Sequence, residues 1–158
     1  MRGVVLVNFV IASARTILLL TATSKLVTVI IGGRLLKVAD PLLGIANWVV
    51  LLGVAILELG ILLAISGIRD KRISCLLVTL MGGQFVAYRA AFAIGGFSRG
   101  CPCLGRLGEW LPVTDLALDR LLWFAAFFLF LGGIVALLAA FRLTPASPPQ
   151  AFQALDNR

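Results

Sequence analysis

The sequence predicts an all-α integral membrane protein, a four-helix transmembrane bundle. Three observations carry that prediction. The chain is 61% hydrophobic and 13% charged, with a mean hydropathy of +1.07, whereas a soluble domain carries roughly 25% charged and 45–50% apolar residues. Its apolar residues fall into four long runs, each near the ~20 residues a helix needs to cross a bilayer. Those runs are too long and unbroken for barrel strands, and backbone in hydrocarbon must satisfy its own hydrogen bonds. In 158 residues there is room for about four spans with their loops, and for no globular domain beside them. No internal repeat is visible.

The first run, Gly3 to Ser24, is interrupted by Asn8 and Arg15 and closes at Lys25. Its beginning also mimics a signal peptide: Met1-Arg2, an apolar stretch to Ile11, then Ala12-Ser13-Ala14 as an A-x-A site. The apolar pattern resumes directly after Arg15, which favours a retained span. Residues 26–44 are mixed, with Gly32-Gly33, Arg34, Lys37 and Asp40-Pro41. Asp-Pro is a turn or helix-start signal, so this segment reads as a loop holding a short interfacial helix. The second run, Ile45 to Ile68, carries one charge, Glu58, and has Trp48 near its start as an interfacial anchor. The Arg69-Asp70-Lys71-Arg72 cluster ends it. The third run is Ile73 to Gly96, with Gln84 and Arg89 inside it. A polar loop over 97–116 leads to the fourth, from Leu116 or Ala117 to Phe141, with Asp119-Arg120 near its start and five phenylalanines along it. The domain is thus residues 1–143, followed by a tail, Thr144 to Arg158, whose prolines and polar character predict disorder.

The net charge is +7 and histidine is absent. The Lys and Arg residues sit singly at the ends of apolar runs and form no basic stripe, so the partner they imply is the lipid bilayer and not nucleic acid. The absence of histidine excludes His-based metal sites, haem ligation by His, and Ser-His or Cys-His nucleophile pairs. Four spans put both termini and the Arg69–Arg72 turn on one side. The basic counts of the two sides nearly tie, and the dense, short Arg69–Arg72 turn tips it to the cytoplasm. The loop after the third span is then extracytoplasmic.

Arg15, Glu58 and Arg89 lie within apolar runs, where a charge costs at least ~2.5–3.5 kcal/mol at the bilayer centre. Their depths, counted at about 1.5 Å per residue, permit an Arg15–Glu58 pair with Gln84 at the same level and Arg89 nearer the loop. Such a pair can serve only to fix helix register. It can also form, with Gln84 and Arg89, a polar pocket that binds a headgroup, a quinone or a proton. Outward snorkelling of Arg15 or Arg89 is the third reading.

The loop Arg99-Gly100-Cys101-Pro102-Cys103-Leu104-Gly105 carries two of the three cysteines. A Cys-Pro-Cys disulfide closes a small strained ring, and strain makes a disulfide more oxidising and more readily exchanged. Arg99 and Arg106 flank the pair, and nearby cations favour the thiolate. Cys101 and Cys103 are therefore the candidate catalytic residues for thiol–disulfide exchange. A structural disulfide or idle thiols are the plainer alternative. A metal needs further ligands that a partner would have to supply. Cys75, in an apolar helix, reads as packing.

The order of these features resembles the methylamine utilisation MauE family, within the wider DoxX-like group of four-helix membrane proteins. Four stretches carry the resemblance: Ser24-Lys25-Leu26 after the first run, Asp40-Pro41 ahead of the second, Glu58-Leu59-Gly60 inside it, and Gly100-Cys101-Pro102-Cys103-Leu104-Gly105 after the third. It covers roughly residues 10–141. The resemblance implies a bacterial inner-membrane protein of redox maturation, working with a thioredoxin-like extracytoplasmic protein, with quinone as a possible electron carrier. The resulting expectation is a membrane thiol–disulfide relay that supports oxidative maturation of an extracytoplasmic partner. The alternative is a non-catalytic anchor or assembly subunit of a redox complex. A small-molecule carrier is disfavoured by four spans without a repeat.

Overall fold

A computed structural model describes residues 2–32, 34–96 and 115–143. The described residues form α1 (Arg2–Ile31), the short α2 (Arg34–Lys37), α3 (Asn47–Gly67), α4 (Lys71–Ile94) and α5 (Asp115–Leu143). Four of the five, all but α2, are long and apolar enough to cross a membrane. The chain is an all-α four-helix bundle and a multi-pass membrane protein.

The first span runs further than the sequence predicts. A charge at Lys25 reads as a membrane boundary, yet α1 continues to Ile31. The reason lies in the helix's inner face. Val7, Val10, Ala14, Leu18 and Ala22 recur every three or four residues and are buried, and Ser24, Lys25 and Thr28 continue the same buried face. Lys25 is inside the bundle rather than at its edge, and the helix has no reason to stop there. The remaining boundaries shift by one or two residues, and α2 is the short helix expected in the first connection.

Around the bundle the order is α3–α1–α5–α4, with extensive packing of α4 on α5 and of α1 on α3, and a thin seam between α3 and α4. Lipid offers no hydrophobic drive for helices to associate, so close packing of small residues does that work. A Cβ added at Gly82 would fall on the backbone of Leu129 and Phe130, and one at Gly133 would meet Thr79 Oγ1 at 2.5 Å. These two glycines let α4 and α5 touch backbone to backbone. The dry core is completed by Ile65 from α3, Cys75, Val78 and Met81 from α4, and Leu129, Ala136 and Ala140 from α5. Cys75 is a buried free thiol within it, in keeping with a packing role.

The end opposite the α3–α4 turn is closed by residues 38–47. Ala39 and Ala46 form an antiparallel bridge, with Asp40 N donating to Ile45 O (2.7 Å) and Asn47 N to Val38 O (3.1 Å). Asp40 Oδ1 accepts from the backbone of Leu42 (2.9 Å) and Leu43 (3.0 Å), an Asx turn of the kind an Asp-Pro start favours. Gly44, at φ +68°, takes the left-handed conformation that closes it.

Candidate functional site

Polar side chains gather in the half of the bundle nearest the residue 38–47 turn. Glu58 is eleven residues into α3, about 16 Å along the helix, and is fully buried. Its Oε1 accepts from Lys25 Nζ at 2.6 Å, and both side chains are almost wholly out of contact with lipid. Two charges this deep are tolerable only together, because either alone would bear an uncompensated desolvation cost. Lys25 also approaches Thr21 O (3.5 Å) and lies 5.6 Å from the centre of the Phe85 ring. The Thr21 hydroxyl is also a neighbour of the Glu58 carboxylate, and it donates to Leu18 O (3.2 Å).

Two further polar contacts lie at this end. The Tyr88 hydroxyl donates to Asp40 Oδ2 at 2.5 Å, joining α4 to the turn that precedes α3. Asp40 is 1% exposed, so its carboxylate is used up by Tyr88 and by its own turn. Arg89 Nη2 pairs with Asp119 Oδ1 and also donates to Asp119 O (3.2 Å), tying α4 to α5. The Arg89 guanidinium lies 5.1 Å from the centre of the Trp123 ring, which stacks in turn on Phe127.

Lys25 stands between two cavities. One, about 220 Å³, opens along the thin seam between α3 and α4. Leu43, Val50, Leu51, Val54 and Phe85 make it apolar, while Lys25, Asn47, Gln84 and Tyr88 bring polar groups to it. The other, about 50 Å³, lies among α1, α4 and α5, and Lys25, Phe85, Tyr88 and Arg89 line it. An apolar groove with a few converging polar groups is the usual form of a small-molecule site.

The expected Arg15–Glu58 pair does not form. Arg15 is exposed on α1 and its Nη2 donates to Ile65 O at 2.7 Å. Ile65 is in the last turn of α3, where carbonyls lack intrahelical donors, and a cation is favoured at that negative end of the helix dipole. Arg15 therefore reaches away from Glu58, toward the opposite end of the bundle. Lys25, taken as a span boundary, is the true partner. Of the expected pocket residues, Glu58 is joined through Lys25 to the groove that Gln84 lines, Arg89 lines the smaller cavity beside it, and Arg15 belongs to neither. Lys25, Asp40, Tyr88 and Asp119 are the residues that sequence reasoning missed. A signal for Lys25 existed: it continues the three-and-four spacing of the buried α1 face, and apolar residues resume after it.

Cys101 and Cys103 lie outside the described residues, as does the expected tail from Thr144 onward. The chain leaves the described residues at Gly96, just past the end of α4, and returns at Asp115, the start of α5. Both points are at the polar end of the bundle. Comparison with protein-family models, with curated proteins and with solved structures finds no match for this chain.

Proposed function

We propose that this protein is a membrane thiol–disulfide relay of MauE/DoxX-like type in a bacterial inner membrane. Cys101 and Cys103 exchange with a thioredoxin-like extracytoplasmic partner, and the groove between α3 and α4 serves the membrane-soluble oxidant. The observation that carries the reading is the coincidence of two features at one end: the apolar groove with Lys25–Glu58 behind it, and the departure and return of the cysteine-bearing segment. The reaction balances as a disulfide exchange. A partner dithiol attacks the Cys101–Cys103 disulfide, a mixed disulfide forms, and the second partner thiol resolves it, leaving the partner oxidised and the pair reduced.

The groove residues fit a quinone-class carrier: an apolar wall from Val50, Leu51, Val54 and Phe85, with polar groups from Lys25, Gln84 and Tyr88. Bound there, such a carrier would accept the two electrons and two protons released when the Cys101 and Cys103 thiols close again. The chain's own part is to orient and to neutralise. Lys25 presents its ammonium to the groove, and Glu58 holds that ammonium in place.

The polar contacts between spans favour a second reading. Lys25–Glu58 and Arg89–Asp119 each tie neighbouring spans together, which is what a non-catalytic anchor or assembly subunit needs. One experiment separates the two. In a Cys75→Ser background, Cys101→Ser and Cys103→Ser are expressed separately and membranes are run on non-reducing gels. The relay predicts that one of them accumulates a reducible adduct with an extracytoplasmic protein. Absence of an adduct from both, with full function of the double variant, favours the anchor.

A further inference from the structure

The other end of the bundle carries a pocket that the relay does not use. It lies where the α3–α4 turn meets the start of α1 and the end of α5, has a volume of about 260 Å³, and is lined by Val4, Val7, Arg69, Asp70, Lys71, Arg72 and Ala140. Two of its three cations are held by other helices. Lys71 Nζ donates to Asn8 Oδ1 on α1 at 2.8 Å, and the Arg72 guanidinium stacks over Phe141 of α5 at 4.8 Å from the ring centre. Arg69, in the turn itself, is exposed. The single carboxylate in the lining, Asp70, accepts from Arg72 N at 2.8 Å as the cap of α4. The lining thus has a surplus of two positive charges. Its other wall, from Val4, Val7 and Ala140, is apolar and continues onto the exposed Val4 and Val5.

We propose that this pocket binds a phosphate group, presented there as the headgroup of an anionic phospholipid. The chemistry of the lining selects the charge. Guanidinium forks match phosphate oxygens in pairs, and an ammonium adds a point charge. Position selects the source. The turn joins two helices at the limit of their apolar spans, which is the level of lipid headgroups in a bilayer. Basic pockets between spans are where anionic headgroups settle. The apolar wall gives the first part of an acyl chain a surface to follow, which free phosphate would not use.

The test uses the full chain, purified in a neutral detergent. Binding is followed by thermal unfolding during titration with phosphatidylglycerol, with phosphatidylcholine, and with inorganic phosphate. Saturable stabilisation by phosphatidylglycerol, weaker with phosphatidylcholine and absent with millimolar phosphate, is expected. Removing two cations in Arg69→Gln/Lys71→Gln should weaken that binding roughly 30-fold. Arg142→Gln, which removes a cation in the last turn of α5 that does not line the pocket, should leave it within about twofold of the parent. Stabilisation by inorganic phosphate, lost in the same double variant, would support the phosphate site while assigning it to a free anion. No saturable stabilisation by any of the three, or equal weakening by Arg142→Gln, would overturn the proposal. Should the double variant not fold, Asn8→Ala keeps every charge and only releases Lys71, and an unchanged affinity there would also count against the pocket.

Discussion

The two halves of the bundle are built by different rules. Toward the α3–α4 turn the helices meet through apolar and small side chains, with Val7, Val10, Ile65, Val78, Ala136 and Ala140 in one dry core. Toward the residue 38–47 turn the same inner faces carry Lys25, Glu58, Tyr88 and Arg89, and Asp40 of the turn meets Tyr88. The face of α1 shows the change within one helix: apolar from Val7 to Ala22, polar from Ser24 to Thr28. Packing without polar atoms is the simpler way to hold helices together in lipid. The polar half sets its charges beside the groove along the α3–α4 seam, whereas the basic pocket of the other half lies at its rim, outside the apolar core.

The tightest contact of the bundle is the approach of α4 to α5 at Gly82. Gly82→Leu pushes a side chain into the backbone of α5 and should abolish recovery of monodisperse protein by size-exclusion chromatography. Gly53→Leu, at a position with nothing within 4 Å, should be recovered like the parent. Next in size is the polar half's central pair. Glu58→Ala leaves Lys25 buried and alone, and should cost about 3–5 kcal/mol in SDS-induced unfolding, most of it restored when Lys25→Met is added. If the single variant unfolds like the parent, the pair is not the constraint its burial indicates. Tyr88→Phe removes the hydrogen bond to Asp40 and should cost about 1.5 kcal/mol, near the upper end for polar contacts between membrane helices. The smallest effect is expected for Arg15→Leu, about 0.6 kcal/mol, typical of one interhelical hydrogen bond in a membrane. A loss for Arg15→Leu as large as that for Glu58→Ala would mean that Arg15 does more than meet a helix end.

The four spans were legible because length and hydropathy are local properties, and a ~20-residue apolar run has few other uses. The Asp40-Pro41 turn was legible for the same reason: its chemistry is contained in five consecutive residues. Glu58 stood out as a charge that had to be buried. Its partner did not, because a lysine near the end of an apolar run looks the same whether it faces headgroups or the bundle interior. The rotation of α1 and its axial offset against α3 decide between Arg15 and Lys25; the spacing of the buried α1 face hints at the first, and the second is written in no local stretch. Asp119 was hidden likewise. As a charge at the mouth of the last span it read as a boundary, and its pairing with Arg89 depends on how closely the two glycines let α4 and α5 approach.

One feature of these pairs bears on how the protein enters the membrane. Lys25 and Glu58 are 33 residues apart and sit on the first two spans; Arg89 and Asp119 are 30 apart and sit on the last two. Lys25 and Arg89, the buried cations among the described residues, thus each find a counter-ion on the very next span to be synthesised. A ribosome-bound chain need hold each of these two cations at the insertion channel only until the following helix emerges, after which the hairpin can partition into lipid with that cation paired. The penalty for a single charge at mid-bilayer, ~2.5–3.5 kcal/mol on the insertion scale, is then relieved for Lys25 and Arg89 as soon as each hairpin is complete. Biogenesis as two hairpins, each closing one ion pair within itself, is a consequence of where these acids and bases fall along the chain.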